Sequence, residues 1–105
     1  MKILIDECIP RKFKYNLPGQ DCRTVPEAGL AGNGQRLSFA EQRGFEVFLT
    51  IDRGFEYEQN LSSRSIAVMI VRAKSNRMRD LLPHAPACPV ALHSVTSGEL
   101  IRVGH

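Results

Sequence analysis

Two apolar runs constrain this chain more than any other feature. Ile3-Leu4-Ile5 and Ile66-Ala67-Val68-Met69-Ile70-Val71 contain no polar residue. Successive residues of a strand point to opposite faces, so a run apolar at every position belongs to a strand covered on both sides. Strands of that kind occur in parallel sheets with helices packed above and below. A third run, Phe45-Glu46-Val47-Phe48-Leu49-Thr50-Ile51, also reads as a strand, and Asp52 follows it directly.

The intervening segments read as crossovers. Pro10 suits the first turn of a helix, where its missing N–H would have no partner. The spacing predicts a helix over 11–17, closed by Pro18-Gly19. Residues 21–25 read as a polar edge strand, and residues 26–34, with glycines at 29, 32 and 34, as a loop. Leu37, Phe39 and Ala40 supply the apolar face of a helix ending at Gly44. A short helix or turn over 55–61 and a helix over 75–82 follow. Pro83, Pro86 and Pro89 argue against a helix continuing to Val95, and Leu100-Ile101-Arg102-Val103 reads as a last strand. The predicted architecture is one three-layer α/β/α domain over 1–105, with a mostly parallel central sheet of four to five strands.

Composition narrows the setting. A chain of 105 residues suits a single domain, and 43% apolar with 24% charged residues is ordinary for a globular one. Three cysteines, Cys8, Cys22 and Cys88, are an odd number without metal-ligand spacing, which predicts reduced thiols in the cytoplasm. The chain reaches Asp6 too early for a signal-peptide apolar region, and nothing approaches the roughly 20 apolar residues of a membrane helix. No membrane partner is therefore expected. A net charge of +3 favours approach to a polyanion, RNA included.

In open α/β sheets ligands bind beyond the carboxyl ends of the strands. Asp6 and Glu7 close the first strand, and Asp52 the third. If those strands are neighbours, about 5 Å apart, their acids meet in one cleft. Clustered carboxylates repel unless a cation neutralises them, and hard oxygen ligands select Mg²⁺ or Mn²⁺. Such a cation can activate water for phosphodiester cleavage. A strand-end acid also caps a following helix, and Asp52 before Arg53-Gly54 has that second reading.

Arg11, Lys12 and Lys14 after the first acids, Arg53 beside Asp52, and Arg72, Lys74, Arg77 and Arg79 beyond the fourth strand are phosphate-binding candidates. Each also reads as a solvated surface residue. His84, His93 and His105 lack zinc-site spacing, and Cys8 reads as a small buried side chain. For Tyr15 and Tyr57, core or surface packing is the default reading over base stacking.

Four segments carry a family resemblance. They are Met1-Lys2-Ile3-Leu4-Ile5-Asp6-Glu7 with Ile9-Pro10; Arg23-Thr24-Val25-Pro26-Glu27-Ala28-Gly29; Leu49-Thr50-Ile51-Asp52-Arg53 with Gln59-Asn60-Leu61; and Ile66-Ala67-Val68. In this order and spacing they resemble the small bacterial PIN-like domains. The resemblance implies a PIN-type fold and Mg²⁺- or Mn²⁺-dependent ribonuclease chemistry, as in the toxin of a toxin–antitoxin pair. RNA and an antitoxin protein would be partners, and a homodimer is compatible with it. Asp6 and Asp52 match the catalytic acids and Glu7 the adjacent one.

The sequence departs from the pattern at one point. Such domains commonly carry an acid in an Asn-Gly-Glu context, and here the residues are Asn33-Gly34-Gln35. Gln35 would join Asp6, Glu7 and Asp52 as a metal ligand through its carbonyl oxygen, but it adds no negative charge and no base for water. Glu41 is an alternative acid further along, where it also reads as a solvated helix residue. Two other functions fit the same acids. One is a PIN-like module that binds a partner without cleaving it. The other is a receiver-type phosphoacceptor domain, which shares the acids after strands one and three but needs a lysine at the end of the last strand.

Overall fold

The computed structural model describes residues 1–29, 36–57 and 61–104. Strands β1 (Lys2–Ile5), β2 (Asp21–Thr24), β3 (Val47–Thr50), β4 (Ala67–Arg72) and β5 (Leu100–Gly104) form one sheet in the order β2-β1-β3-β4-β5. Every neighbouring pair is parallel. The sheet is therefore wholly parallel, where the sequence pattern predicted a mostly parallel one. The polar segment Asp21–Thr24 takes an edge, as its alternating charges required.

The period-2 alternation sorts the strands into two cores. Ile3, Ile5, Val47, Leu49, Met69 and Val71 face Phe13 and Leu17 of the first crossover and Leu81, Cys88 and Leu92 near the C-terminus. Leu4, Phe48, Val68 and Ile70 face the other way, onto Leu37 and Ala40 of helix α1 (Arg36–Gln42) and onto Leu61. Each face thus has its own helical cover. That is why the central runs hold no polar position, and the architecture is a three-layer α/β/α one.

The helical segments are shorter than the sequence pattern predicts. Arg11–Asn16 is a 3₁₀ helix and carries a single buried residue, Phe13. So short a segment gains little from its own backbone bonds and is held by that one anchor. The helix expected over 75–82 is reduced to α2 (Met78–Leu81). Arg77 is extended (φ −75°, ψ 146°), and its N–H donates to the Ser75 hydroxyl, which itself donates to Asp80. A 3₁₀ turn, Leu82–His84, and helix α3 (Ala87–Leu92) follow. The break at the prolines is as expected: Pro83 and Pro89 fall in first turns, where a missing N–H costs nothing, and Pro86 is the α3 N-cap.

The connections create the site. From β1 the chain crosses one face to reach β2, then returns over the opposite face through α1 to β3. The β1–β3 junction is therefore the topological switch point, where open parallel sheets place their ligands. Among the described residues no helix is long and apolar enough to cross a membrane.

Candidate functional site at the β1–β3 junction

Asp6 continues the β1 ladder by one residue, its N–H donating to the Leu49 carbonyl of β3 at 2.9 Å. Alternation then sends its side chain to the same face as Leu4, toward α1. Thr50, at the end of β3, follows Phe48 onto that face by the same rule. Both are buried, Asp6 at 3% exposure and Thr50 at 0%.

A buried carboxylate is tolerated only when donors surround it. The Thr50 hydroxyl donates to Asp6 Oδ2 at 2.7 Å, and the Glu7 N–H to Oδ1 at 2.8 Å. The Cys8 thiol lies 3.4 Å from Oδ2. Arg36, the first residue of α1, brings Nε to 3.5 Å from Asp6 Oδ1 and donates from Nη2 to Glu7 Oε1.

Asp52 stands outside the sheet, since β3 ends at Thr50 and Ile51 intervenes; this corrects its placement directly after the strand. It is exposed. Its Oδ1 accepts the Gly54 N–H at 2.9 Å and its carbonyl accepts the Phe55 N–H, opening the 3₁₀ helix Arg53–Tyr57. The capping role anticipated for it is real. Its own N–H donates to Thr50 Oγ1 at 3.0 Å. One hydroxyl therefore ties the two strand-end acids together: it donates to Asp6 and accepts from the Asp52 backbone.

Asp6, Glu7 and Asp52 thus follow the carboxyl ends of the neighbouring strands β1 and β3. Among the described residues, however, no three His, Cys, Asp or Glu side chains converge so as to hold a metal ion as they stand. The acid pair Asp6–Glu7 already has a cationic partner in Arg36. The donor set itself is one of hard carboxylate oxygens, which fits Mg²⁺ or Mn²⁺ held by one or two carboxylates with water completing the shell. Gln35 lies outside the described residues. Glu41 is neither a ligand nor a solvated residue: it accepts from Arg64, from the Ser65 N–H at 2.8 Å and from the Ser65 hydroxyl at 3.1 Å. Burial pushes its carboxyl up, but the Ser65 amide and Arg64 outweigh that and hold it below the usual range.

Arg11, Arg53, Lys74 and Arg77 are all exposed and follow the carboxyl ends of β1, β3 and β4, as do Lys12 and Arg79. The loop after β4 is tied to the site, because Asn76 Nδ2 donates to the Cys8 carbonyl at 3.1 Å. Two phosphate candidates are already occupied. Lys14 pairs with Glu27 at 2.9 Å, and Arg72 donates to Glu56 Oε1 at 2.9 Å, an oxygen it shares with Arg102. Tyr15 and Tyr57 are exposed, so neither packs in the core.

A cleft of about 350 Å³ adjoins the acids, lined by Glu7, Ile9, Pro10, Arg11, Thr24, Pro26 and Glu27. Glu27 and Thr24 close its far side by reciprocal bonds, the Thr24 N–H to Glu27 Oε1 and the Glu27 N–H to Thr24 Oγ1. The Thr24 amide, aided by Lys14, holds the Glu27 carboxyl down at about 2. Cys8 is half-buried, and burial, reinforced by Asp6, pushes its thiol up, so it stays protonated rather than acting as a nucleophile.

Sequence reasoning missed Thr50 and Arg36. Thr50 left a signal, being the one hydroxyl in the last turn of an otherwise apolar strand end. Arg36 left none beyond its position after Gln35. Comparison with protein-family models, with curated proteins and with solved structures finds no match to this chain.

Proposed function

We propose that this chain is a PIN-like ribonuclease that depends on Mg²⁺ or Mn²⁺, acting in the cytoplasm as the toxin of a toxin–antitoxin pair. One observation carries the reading: Asp6 and Asp52 leave neighbouring parallel strands at the switch point and are joined through Thr50. Asp6, Glu7 and Asp52 would hold the cation, which when bound supplies charge to stabilise the phosphodiester transition state and activates water. Thr50 fixes the Asp6 carboxylate in orientation. Arg11, Arg53, Lys74 and Arg77 neutralise the phosphates on either side of the scissile bond. Three free cysteines, Cys8, Cys22 and Cys88, support a reducing compartment.

The test is cleavage of structured and unstructured RNA by the purified chain under Mg²⁺ or Mn²⁺. Asp6→Asn and Asp52→Asn must each abolish it, and cleavage that survives both changes refutes the assignment. RNA retained without cleavage would instead identify a binding module.

A receiver-type phosphoacceptor is the second reading, favoured by the strand order β2-β1-β3-β4-β5, which receiver domains share. Against it, β5 runs Leu100–Gly104 without the lysine that would sense a phosphoryl group. Labelling of Asp52 by a small phosphodonor would establish it over the nuclease.

A further inference from the structure

The guanidinium of Arg36 occupies the place that the proposed chemistry reserves for a metal ion. Its Nη2 bonds Glu7, and its Nε approaches Asp6 Oδ1 to 3.5 Å. That Nε is buried and finds no hydrogen-bond partner among the described residues, so its tie to Asp6 is one of charge, while Nη2 is bonded to Glu7. Asp6 does not depend on it. The Thr50 hydroxyl and the Glu7 N–H already engage both its oxygens at shorter range. Arginine is thus the least well bonded of the groups around Asp6, and it is the one bearing positive charge.

The anchoring of the helix agrees with a side chain that can leave. Leu37 and Ala40 are buried in the core beneath α1, while the Arg36 side chain remains 23% exposed at the first position of the helix. The side chain can therefore rotate outward while α1 stays in place.

We infer that Arg36 is the resident counter-cation of Asp6 and Glu7, and that it must swing off them before a divalent cation of the Mg²⁺ or Mn²⁺ kind can bind. The inference rests on the reading above that these acids hold such a cation. Two cations competing for one acid pair are negatively coupled, and couplings of this kind change affinity by roughly 5- to 150-fold.

The experiment titrates Mn²⁺ into the full chain and follows the spin-resonance signal of the free ion, in wild type, Arg36→Gln and Arg36→Lys. Arg36→Gln should bind Mn²⁺ about tenfold more tightly or better. Arg36→Lys should fall between, since it keeps the charge without the planar fork. Adding Asp6→Asn to Arg36→Gln should remove the gain. In the wild type, Mg²⁺ should move the Arg36 Nε–Hε resonance along its binding curve, a measurement that stands even if Arg36→Gln does not fold.

Equal Mn²⁺ affinity in wild type and Arg36→Gln, or an Arg36 resonance unmoved at saturating Mg²⁺, overturns the inference and leaves the nuclease reading standing. Absence of Mn²⁺ binding from every variant overturns both.

Discussion

Replacing Thr50 by valine tests the link between the two acids. The side chains are nearly equal in volume, so no cavity opens and the change isolates the hydroxyl. Three contacts disappear: the bond donated to Asp6 at 2.7 Å, the one accepted from the Asp52 N–H at 3.0 Å, and a weak sulfur contact with Cys8 at 3.7 Å. Asp6 is 3% exposed, so water cannot replace the lost donor, and a hydrogen bond to a charged group contributes about 1.5–3 kcal/mol. Asp52 is exposed, so its freed N–H finds water at little cost. The expected destabilisation is about 2–3 kcal/mol, or a fall of roughly 10–20 °C in Tm for a domain of this size. Thr50→Ser keeps the hydroxyl and loses a methyl group, which costs about 1 kcal/mol. Urea unfolding of the two variants then gives an order, serine above valine, opposite to the one hydrophobicity predicts. In an Asp6→Asn background the valine cost should shrink by about 1 kcal/mol or more, because the bonded pair is already altered. A Thr50→Val protein as stable as Thr50→Ser would refute the argument: the hydroxyl would then be a packed atom and not a bridge.

Glu27 gives a prediction in pH. Its folded value of about 2 lies below the unfolded one near 4.3, so its contribution is fully present above the unfolded value and is lost as pH falls toward 2. Thermal melts of wild type and Glu27→Gln should differ most above about pH 5 and converge near pH 2; a gap that widens in acid would contradict the assignment. Gly98 gives one in backbone geometry. It sits at φ +77°, and a Cβ there would stand 2.8 Å from the Ser62 carbonyl oxygen. Gly98→Ala should cost more than about 2 kcal/mol by urea unfolding, and a change under 0.5 kcal/mol would mean that this turn readjusts freely.

What was legible in the sequence was whatever depends on a residue and its near neighbours. Uninterrupted apolar runs located β1 and β4 and implied cover on both faces. Alternating charge marked Asp21–Thr24 as an edge, and the prolines broke the C-terminal helical region where expected. What was not legible depends on which strands become neighbours. Thr50 reads as one more β-branched strand residue until β3 is laid beside β1. Arg72 reads as a free cation until Glu56 arrives from the 3₁₀ helix after β3. The 3₁₀ form of Arg11–Asn16 was missed because a single buried phenylalanine does not separate a three-residue period from one of 3.6.

The same dependence on neighbours explains why Asp6 serves structure and site together. Its burial is forced: the backbone is committed to Leu49, and alternation turns the side chain under α1. A carboxylate forced inside must be surrounded by donors, and those donors fix its direction. Glu7, in the turn that follows the strand, is exposed and meets the same Arg36. The pair therefore combines one buried acid with one exposed acid. Asp52, held by Gly54 at one oxygen only, adds a third whose position follows the 3₁₀ helix behind it. The donors around Asp6 preorganise its carboxylate, so on the proposed metal-dependent reading substitutions that remove those donors should weaken Mn²⁺ binding, measured by titration, even where the chain still folds.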